Sequence, residues 1–299
     1  MKPLVSIGIP VKNGFEKASW DEVDDFVYSE KDIDLAKVLN SILNQTYTNL
    51  EIIISNNGST DKTFSYLEKI SQTDKRIKIF TQQKEIGPLE NFQFVLNKAT
   101  GKYFRWNAAD DIISKDYVEQ NVEFLENNLD YVCSSSKFWF ENDKEKSYSH
   151  DLDKNLYNRI KSFFNIRFIS HNIFFSLARR EILLKTVDRS KDYLAIDWMT
   201  DLDLLLNGKF KTIDKGYIVL GVKGFSKSRN HLMRRRYNEK IIYKILPFYE
   251  MTKDLFKKTI FLKELSFFEK ISIYFSCLKI NLSFVKKYRM NKIIIRKNY

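Results

Sequence analysis

Short apolar runs alternate with segments of helical periodicity through the first part of the chain. The runs are nearly continuous and too short for helices, as is typical of strands buried on both faces of a parallel sheet. They cover Leu4–Val11, Leu50–Ser55, Ile77–Phe80 and Lys102–Asn107. Between them, apolar residues recur every three or four positions and predict helices over Leu35–Leu43, 62–70 and Glu90–Ala99. This alternation predicts an α/β fold in which right-handed crossovers build a mostly parallel sheet flanked by helices.

The pattern continues less regularly in the second half. Strands are predicted at Tyr131–Ser134 and Lys137–Phe140, and a charged loop is predicted from Glu141 to Lys154. A helix opens within Tyr193–Gly208, and a last strand covers Tyr217–Val222. The remaining residues predict two or three amphipathic helices. Charged residues interrupt their most apolar stretch, so none is predicted to cross a membrane.

Polar residues follow several of the predicted strands at the point where each strand ends. Asn13 follows the first strand, Asn56 the second, and Asp110 and Asp111 the fourth. Ligands of open α/β sheets bind at this edge, so we expect a ligand site there. Adjacent carboxylates repel unless a cation lies between them, and Mg²⁺ and Mn²⁺ bind one or two carboxylates together with substrate phosphates. The pair therefore indicates a site for a metal and a nucleotide diphosphate. The alternative is that Asp110 and Asp111 merely form a turn before a helix that is capped by Ser114.

Composition narrows the class of protein. The 299 residues are 43% hydrophobic with four Pro and nine Gly, which indicates a compact globular chain. Cys133 and Cys277 lie far apart and outside any Cys/His cluster, so we expect buried free thiols in a reducing cytoplasm. The amino-terminal residues run straight into a strand without an apolar leader, which also favours a cytoplasmic protein.

The charge is unevenly distributed along the chain. Residues 1–208 hold 27 Lys and Arg against 32 Asp and Glu, whereas residues 209–299 hold 23 against 6. Acidic residues are concentrated between Phe15 and Asp34, which we interpret as a long loop at the ligand-binding edge, with an ordinary solvated loop as the alternative. The basic last part predicts contact with an anionic surface, either a membrane or a nucleic acid.

Several motifs together resemble the family 2 glycosyltransferases of the GT-A fold. They span residues 3–220 and are Val5–Asn13, Ser41–Thr63, Ile86-Gly87 with Asn91, Ala99–Tyr103 and Ala109-Asp110-Asp111. The resemblance implies a Rossmann-like catalytic domain over residues 1–225, with a nucleotide-binding half near 1–112 and an acceptor half near 113–225. A basic amphipathic helical appendage would follow at 226–299.

The resemblance also implies a reaction and a set of residues. A sugar would move from a nucleotide diphosphate to an acceptor hydroxyl, with inversion at the anomeric carbon and with Mn²⁺ or Mg²⁺ as cofactor. The nucleotide-binding residues would be Pro10, Lys12, Asn13, Asn56, Asn91 and Asp110. The metal would be held by Asp110 and Asp111.

Two positions depart from the family's usual pattern. Many relatives carry Asp where this chain has Asn56, and that Asp accepts a hydrogen bond from uracil N3. The Asn oxygen can accept the same bond, so a UDP-sugar is favoured, although the Asn NH₂ group can instead donate to cytosine N3. Many relatives also place the first Asp of an Asp-X-Asp motif at Ala108. The metal here therefore depends more heavily on Asp110 and Asp111.

The general base is expected in the acceptor half. The resemblance implies that it is Asp197, which precedes Trp198 at a predicted helix start. A helix N-terminus favours the ionised carboxylate that must take the acceptor proton. Asp201 and Asp203 are its competitors in the same helix, where either can serve as a cap or bond to backbone amides.

Further residues are candidates for contacts with the diphosphate or the acceptor. His171, with Asn172 beside it, would touch the acceptor or the donor sugar; a purely structural His is the alternative. Arg229 and His231 lie in a basic segment where relatives have a loop that closes over the diphosphate. A solvated basic turn is the alternative there.

The C-terminal region carries an apolar face. From Leu265 onward a helix would bring together Phe268, Ile271, Phe275, Leu278, Leu282 and Val285. The basic residues off that face or just beyond it are Lys270, Lys279, Lys286, Lys287 and Arg289. We therefore expect peripheral binding to an anionic membrane. The alternative is that this face packs on the catalytic domain or on the second subunit of a homodimer.

These features predict a cytoplasmic, metal-dependent, inverting glycosyltransferase that is peripheral on the inner face of the cytoplasmic membrane. The donor would be a UDP-sugar carrying a hexose or N-acetylhexosamine, and the acceptor a glycan or glycolipid such as lipooligosaccharide, capsule or a lipid-linked oligosaccharide. A sugar-phosphate nucleotidyltransferase is the first alternative, but its glycine-rich loop is absent between Val11 and Phe15. A nucleic-acid-binding module would explain the basic tail but not the polar strand ends, so no nucleic-acid partner is expected.

Overall fold

The computed structural model describes residues 2–15, 33–186, 193–221 and 241–297, with all side chains in these ranges except those of residues 168 and 287–297. Nine strands in these ranges form one sheet. They are β1 (Val5–Val11), β2 (Leu50–Asn56), β3 (Ile77–Thr81), β4 (Tyr103–Trp106), β5 (Ile112–Ile113), β6 (Tyr131–Phe140), β7 (Asp143–Tyr148), β8 (Leu177–Arg179) and β9 (Lys209–Leu220). Their spatial order is β3-β2-β1-β4-β8-β6-β9-β5, with β7 paired to β6.

Most strands of the sheet run in one direction. β1 is parallel to β2 and β4, and β2 is parallel to β3. β8 is antiparallel to both of its neighbours, β4 and β6, so those two run the same way, and β9 is parallel to β6. The chain passes from β1 outward to β2 and β3 and then returns to the other side of β1. This change of direction opens a crevice at the carboxyl ends of the strands.

Helices cover both faces of the sheet. They are α1 (Leu35–Leu43), α2 (Thr63–Ser71), α3 (Pro88–Lys98), α4 (Tyr117–Asn127), α5 (Leu156–Ile166), α6 (His171–Phe174), α7 (Arg180–Thr186), α8 (Ile196–Asn207), α9 (Ile241–Ile245), α10 (Tyr249–Thr259) and α11 (Phe267–Lys297). Successive residues of a strand reach opposite faces, so Ile52 joins the core that includes α1 while Ile53 joins the core that includes α3. The continuous apolar runs of β1 and β2 are buried because both faces are covered.

The predicted elements of the first third are confirmed. Helix α1 has the predicted bounds, and the other strands and helices before residue 107 differ from prediction by one or two residues. The two predicted strands between Tyr131 and Phe140 form the single strand β6. The α/β class follows from a pattern that is local in sequence, which explains its agreement with the structure.

Three local predictions are wrong. Ser114 does not cap α4; the helix begins after Asp116, and the Ser114 hydroxyl donates to the Asp116 carboxylate over 2.7 Å and accepts from the Tyr217 amide over 3.0 Å. The segment predicted to be a charged loop after β6 contains the strand β7, which pairs with β6. Most of its residues are exposed and polar, as is common for an edge strand, so the apolar pattern of a buried strand is absent. The last strand, β9, begins at Lys209 rather than Tyr217, because its first residues pair with β6.

The C-terminal helices extend one of the two cores. Met251 and Leu255 of α10 and Ile273 and Cys277 of α11 are fully buried in the cluster that also contains Phe104 of β4. Cys133 is likewise a buried free thiol, as predicted for both cysteines. Among the described residues, no helix is both long enough and apolar enough to span a membrane.

Candidate active site

The loops after β1 and β2 are joined at the carboxyl edge of the sheet. Asn57 donates its backbone N–H to the Val11 carbonyl over 2.8 Å. Its side chain donates to the Ile86 carbonyl over 2.8 Å and accepts from the Ile86 amide over 2.9 Å. Asn57 therefore fixes three separate segments of the crevice relative to one another. In the sequence, the only signal of this role is the Asn56-Asn57-Gly58 turn, and no such role was predicted for Asn57.

Asn13 and Lys12 are both engaged within the protein. Asn13 has a left-handed backbone (φ 52°), which Asn tolerates better than most residues. Its backbone amide donates to Ser59 Oγ over 2.9 Å, and its side-chain oxygen accepts from the Thr60 amide over 2.9 Å. Lys12 Nζ lies 2.5 Å from Glu85 Oε2. These two residues thus connect the β1 loop to the loops after β2 and β3.

Two of the three asparagines predicted to bind nucleotide, Asn56 and Asn91, are almost inaccessible. Asn56 is 1% exposed, and its side-chain oxygen accepts from the Ser59 amide over 3.2 Å. Asn91, in the first turns of α3, donates from Nδ2 to the Ser55 carbonyl over 3.3 Å, while its buried Oδ1 has no hydrogen-bond partner. Pro10 is paired in register with Ser55. The structure therefore brings the residues predicted on the nucleotide side to neighbouring strand ends.

A buried Arg–Asn relay shapes the loop between β4 and the carboxylate pair. Arg105 is fully buried and donates from Nε to Asn107 Oδ1 over 3.3 Å. Asn107 Nδ2 in turn donates to the carbonyls of Ala108 and Asp111, both over 2.9 Å. These hydrogen bonds hold the loop that carries Asp110 and Asp111 folded back on itself. Neither Arg105 nor Asn107 was recognised from the sequence.

The end of β9 packs directly on the carboxylate pair. The Gly221 amide donates to Asp111 Oδ1 over 3.0 Å. A Cβ atom at Gly221 would lie 2.3 Å from the Asp110 carbonyl oxygen and 2.6 Å from the Asp110 Cβ. Only glycine fits this contact, which joins the predicted acceptor half to the nucleotide half.

Asp111 is a buried carboxyl group with an unused oxygen. It is 3% exposed, and its Oδ2 has no hydrogen-bond partner. Burial, followed by the nearby charge of Asp110, raises the pKa of Asp111 to about 8, against the opposing effects of the Gly221 amide and the Arg105 guanidinium. Such a group favours a proton or a cation at its free oxygen.

The donor set around Asp111 fits a divalent metal that relies on substrate for most of its ligands. No group of three or more His, Cys, Asp or Glu residues suited to a metal occurs among the described residues. One or two carboxylates completed by water and phosphate oxygens are the usual protein contribution to Mg²⁺ sites. Asp110 and Asp111 can supply that contribution.

His171 lies beside the end of β6, close to the same edge. Its ring packs edge-on against Phe140, with centroids 5.6 Å apart. Phe140 is in register with Leu220, the residue before Gly221. Asn172 is instead fully buried and donates to Thr212 Oγ1 over 3.2 Å. His171 therefore packs against the end of β6, which is paired with the strand that leads to Gly221, and Asn172 is hydrogen-bonded to β9.

The acidic residues of α8 have different surroundings. Asp197 is exposed in the first turn, just after Ala195, whose left-handed backbone (φ 67°) is unusual for a residue other than glycine. Asp201 accepts from Ser170 Oγ over 2.8 Å, and Asp203 forms an ion pair with Lys258 over 2.5 Å. Both are buried and hold neighbouring helices in place.

The remaining predicted residues, Arg229 and His231, and most of the acidic segment after Phe15 lie outside the described residues.

Comparisons with known proteins agree on one family. Residues 27–188 match the family described as Glycosyl transferase family 2. An uncharacterized glycosyltransferase of Haemophilus influenzae is 44% identical over 100 residues, which are 33% of this chain and 31% of that protein. Glycosyltransferase GlyA of Streptococcus pneumoniae serotype 4 is 30% identical over 126 residues, which are 42% of this chain and 18% of that protein. The matched stretch thus spans less than a third of either relative.

Two solved structures share the fold. Mannosyltransferase PcManGT from Pyrobaculum calidifontis, solved with GDP-Man and Mn²⁺, superposes with a TM-score of 0.56 at 15% identity and covers 93% of this chain and 70% of its own. S. aureus TarS 1-349, solved with UDP-GlcNAc, has a TM-score of 0.53 at 15% identity and covers 92% of this chain and 81% of its own. The predicted GT-A architecture is therefore confirmed. The family match extends over more than half of the residues, so the chain belongs to glycosyl transferase family 2.

Proposed function

We propose that the protein is a metal-dependent, inverting glycosyltransferase that uses a UDP-sugar. The observation that carries this proposal is the buried Asp111 carboxyl group, whose free oxygen lies beside Asp110 at the carboxyl edge of the sheet. In a member of this family, an unsatisfied carboxylate at a strand-end crevice is best explained by a bound cation and diphosphate. Asp110 and Asp111 would hold Mn²⁺ or Mg²⁺, which offsets the negative charge on the departing diphosphate.

Asp197 is the proposed general base. Its exposure in the first turn of α8 leaves it accessible to an acceptor hydroxyl, whereas the competitors Asp201 and Asp203 are buried against Ser170 and Lys258. Ser170 immediately precedes His171, so its bond to Asp201 fixes α8 relative to the proposed sugar-contacting histidine. Asp197 would take the acceptor proton as the hydroxyl attacks the anomeric carbon from the face opposite the leaving diphosphate.

The identity of the nucleotide base is proposed from the hydrogen-bonding capacity of Asn56, not from the ligands of the two solved structures. One neighbour was solved with UDP-GlcNAc and the other with GDP-Man, so their likeness does not select a base. The Asn56 oxygen already accepts from the Ser59 amide, and its second lone pair remains suited to uracil N3–H. We therefore favour a uridine donor, which uses the Asn56 oxygen, over a cytidine donor, which would require the Asn56 NH₂ group.

The acceptor is proposed to be a hydroxyl of a surface glycan, such as lipooligosaccharide, capsule or a lipid-linked oligosaccharide, and the sugar a hexose or N-acetylhexosamine. Such acceptors are assembled at the inner face of the cytoplasmic membrane, where we place the protein.

A thermal-shift screen tests the proposed donor. Each nucleotide sugar is added with Mn²⁺ to wild type and to Asp111→Asn. A ligand at about 100 times its Kd stabilises the fold by roughly 2.7 kcal/mol. We expect UDP-sugars to give the largest shift with wild type, and none with the variant. Larger shifts from CDP- or GDP-sugars would overturn the uridine assignment, and equal shifts in both proteins would overturn the metal site.

A further inference from the structure

Helix α11 exposes a row of large apolar side chains. Phe267, Phe268, Phe275, Leu278 and Leu282, here named the exposed stripe, are between 42% and 79% exposed. At 3.6 residues per turn they share an arc of about 100° of the helix surface. Phe261, in the turn just before the helix, is 86% exposed. Contiguous apolar surface of this kind on a protein usually marks a binding site.

The stripe is distinct from the face of α11 that packs on the body. Ile273, Cys277 and Ile280 are buried in the core on one side of the helix. Of the positions predicted from sequence to share the apolar face, Val285 is buried and Ile271 is partly buried. The helix therefore has two apolar faces, and within the described ranges the body of the protein covers only one of them.

Polar contacts fix the rotation of the helix. Ser272 is hydrogen-bonded to the Tyr157 hydroxyl over 2.8 Å, and Ser276 accepts from Lys161 Nζ over 2.6 Å. Both partners lie on α5. A rotation that buried the exposed stripe would break these bonds and pull Ile273 out of the core. The stripe consequently stays turned away from the body.

Two lysines border the exposed stripe. Lys279 and Lys286 are exposed, and on a regular helix they lie within about 40° of Phe275. Neither forms an ion pair with an acidic side chain in the part of the chain that the structure describes. Lys263 is likewise exposed near Phe261. The surface thus combines aromatic and aliphatic side chains with a positively charged margin.

We propose that the exposed stripe and its lysines bind the surface of an anionic lipid membrane, with α11 lying in the plane of the interface. Aromatic and aliphatic side chains enter the boundary between headgroups and acyl chains, while lysines meet anionic headgroups. A second copy of the chain fits less well, because pairing two stripes about a twofold axis would bring the lysine margins toward each other. The charge complementarity therefore favours lipid, and the proposal does not depend on sugar transfer.

Vesicle co-sedimentation of the full-length chain at low salt tests this proposal. The vesicles are phosphatidylcholine alone or phosphatidylcholine with phosphatidylglycerol. The stripe variant is Phe268→Ser/Phe275→Ser/Leu282→Ser, and its matched control is Leu129→Ser/Leu184→Ser, which alters exposed leucines elsewhere. The charge variant is Lys279→Gln/Lys286→Gln, and its control is Lys69→Gln/Lys75→Gln, at exposed lysines of α2 and the turn after it.

The expected result is binding of wild type to the anionic vesicles. The charge variant should bind roughly 30-fold more weakly, since each lysine near an anionic leaflet contributes about fivefold in affinity. The stripe variant should lose at least about 100-fold, and both controls should bind like wild type. Circular dichroism should show an unchanged fold, because the altered side chains are exposed.

Three outcomes would overturn the proposal. Wild type that ignores anionic vesicles at low salt excludes lipid as the occupant. If the stripe variant and its control lose the same amount of vesicle binding, the effect is not specific to the exposed stripe. A wild-type dimer in sedimentation equilibrium that becomes monomeric in the stripe variant, with vesicle binding unaffected, assigns the stripe to a second copy. UDP-sugar binding of the stripe variant is measured separately, so failure here is distinguishable from failure of the proposed catalytic function.

Discussion

Asp111→Asn is expected to stabilise the metal-free protein while abolishing donor binding. The side chain is buried, and Asn can keep the bond that Asp111 Oδ1 accepts from the Gly221 amide over 3.0 Å. Asn carries no negative charge. In the wild type, burial and the neighbouring Asp110 both make the negative charge of Asp111 unfavourable. The carboxylate that we propose as a metal ligand would therefore be a source of instability when metal is absent. Higher stability without metal, combined with loss of donor binding, distinguishes a metal ligand from an ordinary structural residue.

The magnitude follows from the raised pKa. The pKa of Asp111 rises from 3.8 in the unfolded chain to about 8 in the folded protein. A raised carboxyl pKa contributes stability that is fully present below the unfolded pKa and is lost as the pH rises through the folded pKa. Between about pH 4 and pH 8 the wild type should lose at most about 1.4 kcal/mol per pH unit relative to Asp111→Asn. At pH 7 the variant should therefore be more stable by at most about 4 kcal/mol.

Urea denaturation in EDTA measures this difference between pH 5 and pH 8. Asp214→Asn is the matched control, because the side chain of Asp214 is 91% exposed and its only effect should be the loss of a weak surface ion pair. The control should follow wild type across the pH range. Calorimetry with Mn²⁺ and UDP should then show donor binding by wild type and the control but not by Asp111→Asn.

The reasoning would be refuted by a metal-free Asp111→Asn that is less stable than wild type at pH 7, or by a stability difference that does not change with pH. Either result would mean that the buried carboxyl group is satisfied by a contact within the protein. Full donor affinity in Asp111→Asn would remove it from the metal site.

Three further variants test the rest of the site. Asp197→Asn should keep donor affinity but reduce turnover by roughly 10²- to 10⁴-fold, as measured by initial rates with a soluble acceptor analogue; near-wild-type turnover would contradict its role as base. Asn56→Asp should sharpen the preference for UDP over CDP in calorimetry, because a carboxylate accepts from uracil N3 but cannot donate to cytosine N3; an unchanged ratio would count against contact with the base. Gly221→Ala should weaken donor binding at least about tenfold, because its Cβ would lie 2.3 Å from the Asp110 carbonyl oxygen, whereas Gly87→Ala, with nothing within 4 Å, should bind normally.

The sequence by itself determined the α/β class and the position of the carboxylate pair. Both depend on local patterns. A buried parallel strand needs a continuous apolar run, and a polar cluster directly after such a run must lie at the carboxyl edge. The motifs between Val5 and Asp111 were enough to indicate the family, because their spacing is set by the crossovers that connect neighbouring strands.

Edge strands and helix caps were harder to predict from the sequence alone. Strand β7 carries charged residues on its exposed face, so the apolar signal of a buried strand is absent. Ser114 has the residue type of a helix cap, yet its hydroxyl is committed to Tyr217, which follows it by about a hundred residues. Local propensity cannot anticipate a competing partner so distant in the chain.

Only the tertiary structure decided which polar residues lie together at the candidate site and which stabilise the fold. Gly221 meets Asp111 across 110 residues of sequence, and nothing in its local pattern marks it. Three similar carboxylates in α8 acquire different surroundings because Asp201 faces Ser170, Asp203 faces Lys258 and Asp197 faces outward. In the same way, the apolar periodicity of α11 predicts a helix with buried positions but not which face the body covers. Long-range packing fixes rotation and burial, and burial in turn sets the charge state on which the chemistry depends.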